Sequence, residues 1–170
     1  MQRVLVSVTN DLTYDQRVHR VCTTLVKMGY EILLIGRRLP NSKPLERAYS
    51  FKRFKLFFNK GFLFYAEYNL RLFFKLLFTK KDILLANDID TLLPNFFVCK
   101  LLNKKLVFDS HELFSEVPEL TNRPVVKWFW KKLEESIIPN LKNCYTVSQS
   151  IADHYKNLYT TNFKIIRNYP

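Results

Sequence analysis

The residues with the clearest chemical potential follow a short apolar run near the middle of the chain. Residues 106–108 are typical of a buried parallel strand, and Asp109, Ser110, His111 and Glu112 come directly after it. Ligands of open α/β sheets bind in the crevice beyond the carboxyl ends of the strands. A histidine between two carboxylates can titrate near neutral pH and donate a hydrogen bond to a phosphate or a sugar hydroxyl. A histidine held by hydrogen bonds within its own loop fits the pattern equally well.

Three further predicted strands also end in polar residues. Asn10 and Asp11 follow the first strand, Asn87 and Asp88 follow a later one, and Ser148 follows a third. Because the carboxyl ends of parallel strands share one edge of a sheet, we expect these side chains to lie along that edge. Such residues also close the strand-to-helix loops of this fold class in general. They therefore locate a crevice without identifying a reaction.

The turn after the first strand has two interpretations. Asp15 and Arg17 begin a predicted helix, whose free backbone N–H groups could bind an anion. The polar side chains of the turn could equally serve as caps with no ligand. Thr13 is predicted to cap the helix, with Gln16 three residues later completing a capping box.

Several classes of site are excluded by missing patterns. The first turn contains no glycine, so the dinucleotide fingerprint G-x-G-x-x-G is absent, and so are a Walker-type phosphate loop and the G-x-S-x-G of serine hydrolases. No combination of His, Cys and acidic residues has metal-ligand spacing. His19 and His154 lie on predicted helices, where solvated positions are the expected reading. We therefore expect neither a cofactor nor a metal.

Stretches with strand and helix periodicity alternate along the chain. The predicted strands are residues 3–8, 31–36, 51–57, 82–86, 105–108, 144–147 and 163–166. The predicted helices run from Thr13 to Gly29 and over residues 61–79, 91–102, 125–138 and 149–158. Pro94 is expected in the first turn of its helix. This alternation predicts an α/β fold with a doubly wound parallel sheet, which is Rossmann-like.

Composition limits the setting in which the protein works. A chain of 170 residues fits one domain, and its three well-separated cysteines are typical of buried free thiols in a reducing, cytoplasmic compartment. No signal peptide and no run long enough to span a membrane is visible. The formal charge of +12 favours an anionic partner, which could be a phosphorylated ligand, an anionic lipid surface or nucleic acid.

Residues 51–81 combine basic and aromatic side chains. The segment holds eight Lys or Arg against one acidic residue, Glu67, together with eleven aromatic residues. It fits a helix that packs under the sheet with its lysines in water. It also fits docking on an anionic membrane surface, where each basic residue contributes about 1 kcal/mol, while nucleic acid is the least favoured partner.

Several motifs recur in an order that resembles the N-terminal domain of a family 4 glycosyltransferase of the GT-B fold. The matching stretches are Asn10-Asp-Leu-x-x-Asp15-x-Arg17-Val, Gly29-Tyr-Glu, residues 82–90, Phe108-Asp-Ser-His-Glu-Leu-Phe114, Glu134-Glu135 before Pro139, Val147-Ser148, and Ile166-x-Asn168. Each motif is weak alone. Their order over nearly the whole chain makes the resemblance specific.

The resemblance implies retaining transfer of a sugar from a nucleotide-sugar donor without a metal ion. It implies that residues 1–170 form a single Rossmann-like domain that holds a glycan or lipid-linked acceptor, and that a C-terminal nucleotide-sugar-binding domain is missing. A short polar segment after the last predicted strand resembles a linker to such a domain. Alone, the chain is then expected to be inactive. The predicted setting is surface polysaccharide synthesis in the cytoplasm, peripheral to the inner face of the membrane.

The resemblance also assigns roles to residues. His111 matches a histidine that contacts the donor sugar or its developing charge, and it is the predicted catalytic residue. The predicted substrate-binding residues are Asn10, Asp11, Asp15, Arg17, Asn87, Asp88, Asp109, Ser110, Glu112, Ser148 and Asn168. The alternative function is a non-catalytic module that docks on an anionic membrane or on carbohydrate.

Overall fold

The computed structural model describes residues 1–114 and 123–167. The strands are β1 (Arg3–Asp11), β2 (Glu31–Arg38), β3 (Ser50–Lys55), β4 (Ile83–Asn87), β5 (Lys105–Ser110), β6 (Cys144–Thr146) and β7 (Lys164–Ile165). The helices are α1 (Gln16–Lys27), α2 (Gly61–Phe78), α3 (Ile89–Leu102), α4 (Pro124–Ile137) and α5 (Gln149–Tyr159), and α4 is followed by a 3-10 turn at Ile138–Asn140.

All strands in the described part of the chain join one parallel sheet in the order β3-β2-β1-β4-β5-β6-β7. The chain runs outward from β1 to β3 in one direction and then from β4 to β7 in the other. The order therefore reverses between β1 and β4, which is where ligands bind in open sheets of this kind. The prediction of a doubly wound, Rossmann-like parallel sheet is confirmed.

Two apolar layers enclose the sheet. One layer contains α2, α3, α4 and α5, and it buries side chains such as Tyr68, Leu72 and Trp130 against the strands. The opposite layer is thinner and contains α1, through Val18 and Cys22, together with the segment that precedes β3. Burial on both faces explains why β1, β2 and β4 are nearly continuous runs of Val, Ile and Leu.

The start of α1 differs from the prediction. Strand β1 continues to Asp11, and the backbone N–H and hydroxyl of Thr13 both donate to the Asp11 carboxylate, at 3.1 and 2.9 Å. Thr13 is thus part of the turn, and the helix begins only at Gln16. The cap is Asp15, and the capping box predicted from Thr13 and Gln16 does not form.

Helix α3, in contrast, starts earlier than predicted. It begins at Ile89, directly after an abrupt turn at Asp88, so Pro94 lies in the second turn and not in the first. Proline has no N–H, and the Asp90 carbonyl therefore lacks its usual helical donor. In the described ranges no helix is long and apolar enough to cross a membrane.

Candidate functional site

A cleft of about 590 Å³ opens at the carboxyl edge of the sheet, where the strand order reverses. Loops after β1, β2, β4 and β5 contribute to its walls. Of the predicted site residues, those that line it are Asn10, Asp11, Asp15, Arg17, Asp88 and Glu112. Residues from separate parts of the sequence thus meet because parallel strands end at one edge.

The Asp11 side chain joins the loops that follow β1 and β2 by accepting hydrogen bonds from both. One carboxylate oxygen accepts hydrogen bonds from Thr13, and the other accepts from the Ser42 hydroxyl at 2.6 Å. Burial alone would raise the pKa of Asp11, but the hydrogen bonds from Ser42 and Thr13 outweigh it and lower the pKa. Asp11 therefore stays ionised and fixes the shape of the cleft wall.

The N-terminus of α1 is occupied by a side chain of the protein. Asp15 accepts from the backbone N–H of Val18 at 3.0 Å, and its other oxygen accepts from the Asn10 amide at 3.1 Å. A carboxylate at this position satisfies a free N–H group and the positive end of the helix dipole. Of the two interpretations of this turn, the geometry favours the cap over an anion site.

Asp88 has an unusual backbone conformation. Its φ of 58° and ψ of 167° lie in a region that is essentially reserved for glycine, and holding another residue there costs roughly 1–3 kcal/mol. Three contacts stabilise it. Its N–H donates to the Asp109 carbonyl at 2.8 Å, its carboxylate accepts from the His111 N–H at 2.9 Å, and it lies 3.7 Å from the Arg17 guanidinium. The strained turn directs this carboxylate into the cleft.

Burial raises the pKa of Asp88, although His111 and Arg17 act in the opposite direction.

The Asp109–His111 pair lies behind the cleft wall. His111 Nε2 is 2.6 Å from Asp109 Oδ2, but the contact falls outside hydrogen-bond geometry. Only 6% of the His111 side chain is exposed, and Asp109 is fully buried. The Tyr145 ring lies close by, and its pKa is raised by burial and by the Asp109 carboxylate. His111 thus takes its orientation from a buried carboxylate and from the bond between its backbone and Asp88.

The remaining predicted residues that the structure describes do not line the cleft. Asn87 is buried and donates from its amide to the Ser7 carbonyl at 3.0 Å. Ser110 is buried, and its hydroxyl lies 3.0 Å from the Tyr155 hydroxyl. Ser148 caps α5 by accepting from the Ile151 N–H. Asn168 is outside the described residues.

Two charged residues of the cleft were missed at the sequence level. Arg37 lies at the end of β2, with its guanidinium 4.5 Å above the Phe64 ring. Asp90, in the first turn of α3, accepts a 2.5 Å hydrogen bond from Thr9. Burial, with the nearby Asp88 carboxylate, raises the pKa of Asp90 to about 7. An arginine at a strand end and an acidic residue at a helix start are the signals that could have found them.

The charge of the cleft is opposite to that of the whole protein. Its charged lining residues are Asp11, Asp15, Asp88, Asp90, Glu112, Arg17 and Arg37. Within the described ranges, the Nε atoms of both arginines are buried without a hydrogen-bond partner. The cleft combines many acceptors with the guanidinium groups of two arginines, which suits a neutral ligand rich in hydroxyl groups better than a diphosphate.

No group of three or more His, Cys, Asp or Glu that could hold a metal ion occurs in residues 1–114 or 123–167.

Comparison with known families identifies the relatives of this domain. The model of Glycosyltransferase Family 4 matches residues 15–168. The chain belongs to this family. No match was found among curated proteins.

Solved structures share the family 4 domain's fold at low sequence identity. Sucrose-phosphate synthase from Thermosynechococcus elongatus superposes with a TM-score of 0.79 at 12% identity, over 98% of this chain and 48% of that one. A UGT transferase from Siraitia grosvenorii, solved with UDP, gives 0.60 at 7% identity, over 99% and 51%.

The Streptomyces sp. SF2575 glycosyltransferase SsfS6, solved with thymidine diphosphate, gives a TM-score of 0.55 at 11% identity, over 87% of this chain and 49% of that one. This family 4 chain therefore spans about half the length of each of these three glycosyltransferase-like structures.

Proposed function

We propose that this family 4 domain is the acceptor-binding part of a retaining glycosyltransferase. The enzyme would transfer a sugar from a nucleotide-sugar donor to a glycan or lipid-linked acceptor in surface polysaccharide synthesis. A lipid-linked acceptor would place the protein in the cytoplasm, at the inner face of a membrane. No metal or cofactor is required by this proposal.

The composition of the cleft is the observation that carries the proposal. Carboxylates accept hydrogen bonds from sugar hydroxyls, and the guanidinium groups of Arg17 and Arg37, which line the cleft, can donate to sugar oxygens. Even with Asp90 partly protonated, the carboxylates of the cleft outnumber its two guanidinium groups and repel a diphosphate. The Asp15 cap removes the helix terminus that would otherwise bind phosphate. These features favour the acceptor over the donor as the ligand of this cleft.

The donor would be held by a second domain. UDP and thymidine diphosphate are bound by two of the matching structures, and this chain spans about half of each. We infer that a nucleotide-binding domain faces the carboxyl edge of the sheet and that the domain described here is inactive alone. His111 would then contact the donor sugar through its exposed rim, held in place by Asp88 and Asp109.

Turnover tests the proposed role of His111. In a protein that joins this domain to its nucleotide-binding partner, His111→Ala is expected to lower kcat at least about 100-fold, as expected for loss of one stabilising donor. His154→Ala is the matched control, because His154 lies on α5 away from the cleft. Equal melting temperatures would show that both variants fold. Unchanged turnover in His111→Ala would refute the assigned role.

Sugar binding tests the cleft independently of catalysis. We expect methyl glycosides of common hexoses to shift NMR signals of the cleft residues, and Arg37→Ala to weaken this binding about tenfold, the loss of one charge-assisted hydrogen bond. Arg38→Ala is the control, since Arg38 is the exposed neighbour in the same strand. UDP alone should produce no shift at the cleft. Shifts caused by UDP and not by glycosides would assign the cleft to the donor.

A non-catalytic module that docks on an anionic membrane or on carbohydrate is the second candidate. It is favoured by the exposed aromatic side chains of α2. Absence of sugar transfer by the complete protein, together with membrane or glycan binding, would select it over the enzyme.

A further inference from the structure

Helix α2 has apolar stripes on two opposite sides. The buried stripe contains Phe64, Tyr68, Leu72 and Leu76, and it packs against the sheet. A second stripe, offset by two residues and therefore by about 200° on a helix of 3.6 residues per turn, contains Phe62, Leu70, Phe74 and Phe78. Leu70 is 60% exposed and Phe78 is 80% exposed. Core packing explains only the first stripe.

The exposed apolar surface continues across the neighbouring helices. Helix α3 packs against both α2 and α4, and a ring contact between Tyr65 and Trp130 joins α2 to α4 directly. We call the outward side of these three helices, with the loop before α2, the outer face. Its exposed apolar side chains are Phe57, Phe58, Phe62, Leu63, Leu70, Phe74, Phe78, Phe97, Leu101, Leu102, Val125, Val126, Trp128 and Phe129. An exposed apolar surface of this extent marks an interaction site.

Basic residues accompany these apolar side chains. Exposed positions on or beside the outer face include Lys60, Lys80, Lys100, Arg123 and Lys131. The acidic residues of helices α2, α3 and α4 do not neutralise these basic residues, because each of them is buried, lies in the cleft or is bound to another group. Asp90 lies in the cleft, Glu134 is buried, Glu67 accepts from the backbone of Phe57 and Phe58, and Glu135 pairs with Lys132.

We propose that the outer face docks on an anionic lipid bilayer. The exposed rings and aliphatic side chains would enter the boundary between headgroups and acyl chains, and the lysines and arginines would contact anionic headgroups. A protein partner is disfavoured because lysine is depleted at protein interfaces. Nucleic acid is disfavoured because exposed Leu and Val cannot stack on bases, and because the rings lie on outward helix surfaces and not in a groove.

The position of the outer face relates docking to the cleft. Helices α2 and α4 both begin at the carboxyl edge of the sheet, because each follows the end of a parallel strand. The loop before α2 reaches the cleft, where the Asn59 carbonyl accepts from Arg37. Docking would bring the cleft close to the bilayer surface, within reach of an acceptor anchored there. This last step rests on the proposed function, whereas docking itself does not.

Vesicle flotation with the whole chain tests docking without any catalytic readout. Vesicles of phosphatidylcholine alone are compared with vesicles of equal parts phosphatidylcholine and phosphatidylglycerol, at low and high salt. We expect the protein to bind the anionic vesicles at low salt. Binding should be weaker by about tenfold or more at high salt, and likewise with vesicles that lack phosphatidylglycerol. Equal binding to both vesicle types, or no binding, would overturn the proposal.

Paired variants locate the surface. Phe62→Ser with Phe78→Ser, and separately Lys60→Glu with Lys80→Glu, are each expected to weaken vesicle binding about tenfold or more. The matched controls are Met28→Ser with Leu158→Ser and Lys43→Glu with Lys156→Glu, at exposed positions outside the outer face. Equal effects of controls and variants would overturn the assignment of the surface.

Two competing partners give opposite outcomes with the same proteins. A dimer in size-exclusion chromatography that Phe62→Ser with Phe78→Ser dissociates, without vesicle binding, would make the face an interface between copies. A gel shift of single-stranded oligonucleotides without vesicle binding would make it a nucleic-acid surface. Failure of docking leaves turnover on a water-soluble acceptor unaffected, so it is distinct from failure of the proposed function.

Discussion

The cleft and the outer face of α2–α4 differ in how their side chains are held. Cleft carboxylates such as Asp11, Asp15 and Asp88 bind neighbouring groups of the same protein through both oxygens. The apolar side chains of the outer face project into solvent from the far side of helices that are already anchored. A cleft substitution should therefore change the domain itself. An outer-face substitution should change only what binds there.

The largest expected difference lies within α2. Leu72→Ala removes a fully buried side chain and should lower the free energy of unfolding by about 2–5 kcal/mol, measured by urea denaturation. Leu70→Ala, two residues away on the exposed stripe, should change it by less than about 0.5 kcal/mol. Similar losses in both variants would mean that the outer face contributes to folding, contrary to its assignment.

A lysine pair gives the next largest effect. Lys81 is buried, and its ammonium donates to the carbonyls of Leu76, Leu77 and Thr79 at the end of α2. Lys81→Met should cost about 1.5–3 kcal/mol of unfolding free energy, since hydrogen bonds from a charged group to helix carbonyls are lost.

The exposed neighbour provides the control for this lysine. Lys80→Met should leave the unfolding free energy almost unchanged and should lower vesicle binding instead. We expect only Lys81 to contribute to the stability of the fold. Equal destabilisation by Lys80→Met and Lys81→Met would contradict this expectation.

Backbone strain at Asp88 provides a third comparison. Both Asp88→Gly and Asp88→Ala lose the carboxylate contacts, but only glycine adopts the observed φ of 58° and ψ of 167° without strain. The glycine variant should therefore have an unfolding free energy about 1–2 kcal/mol higher than that of the alanine variant. Thermal denaturation of the two proteins measures this difference. The reverse order would show that the turn is not strained.

The last comparison concerns the pH dependence of stability set by Asp90. Its pKa is raised from 3.8 to about 7 by burial and by Asp88. Between these values the folded protein keeps a proton that the unfolded chain has lost, so this group makes stability fall as pH rises from about 4 to about 7. The slope is at most about 1.4 kcal/mol per pH unit.

Asp90→Asn removes this titration, so its stability profile should be flatter than that of the wild type over the same range. Asp153→Asn, at an exposed position on α5, should leave the profile unchanged. Urea denaturation at several pH values provides both curves. A profile of Asp90→Asn parallel to the wild type would show that another group carries the pH dependence.

Sequence periodicity predicted the elements well where the chain is strongly apolar. Helix α2 was expected over residues 61–79 and is Gly61–Phe78, and the alternation of strands and helices indicated the parallel sheet. Helix starts were less predictable. Thr13 had the residue type of a cap, but Asp11 binds it, and Asp15 takes the cap position. Local competition between neighbouring polar side chains decides such a start.

The sequence predicted the edge at which the cleft opens and six of the residues that line it, but not Arg37 or Asp90. Arg37 and Asp90 line the cleft because β1 lies between β2 and β4 in the sheet. Local sequence patterns do not predict this order of strands. His111 is next to cleft-lining residues in the sequence. Its side chain nevertheless lies against Asp109, behind the cleft wall. These residue roles remain predictions until the variants are measured.

The sequence by itself determined the alternation of strands and helices, the edge that carries the polar residues and the excess of basic and aromatic side chains. Those features are local, because they follow from residue type and spacing along a strand or helix. Tertiary structure alone decided which strand ends meet, and which side of α2 faces the sheet. A helix that is apolar on two sides has no local preference between them, so only packing against the sheet selects the buried stripe.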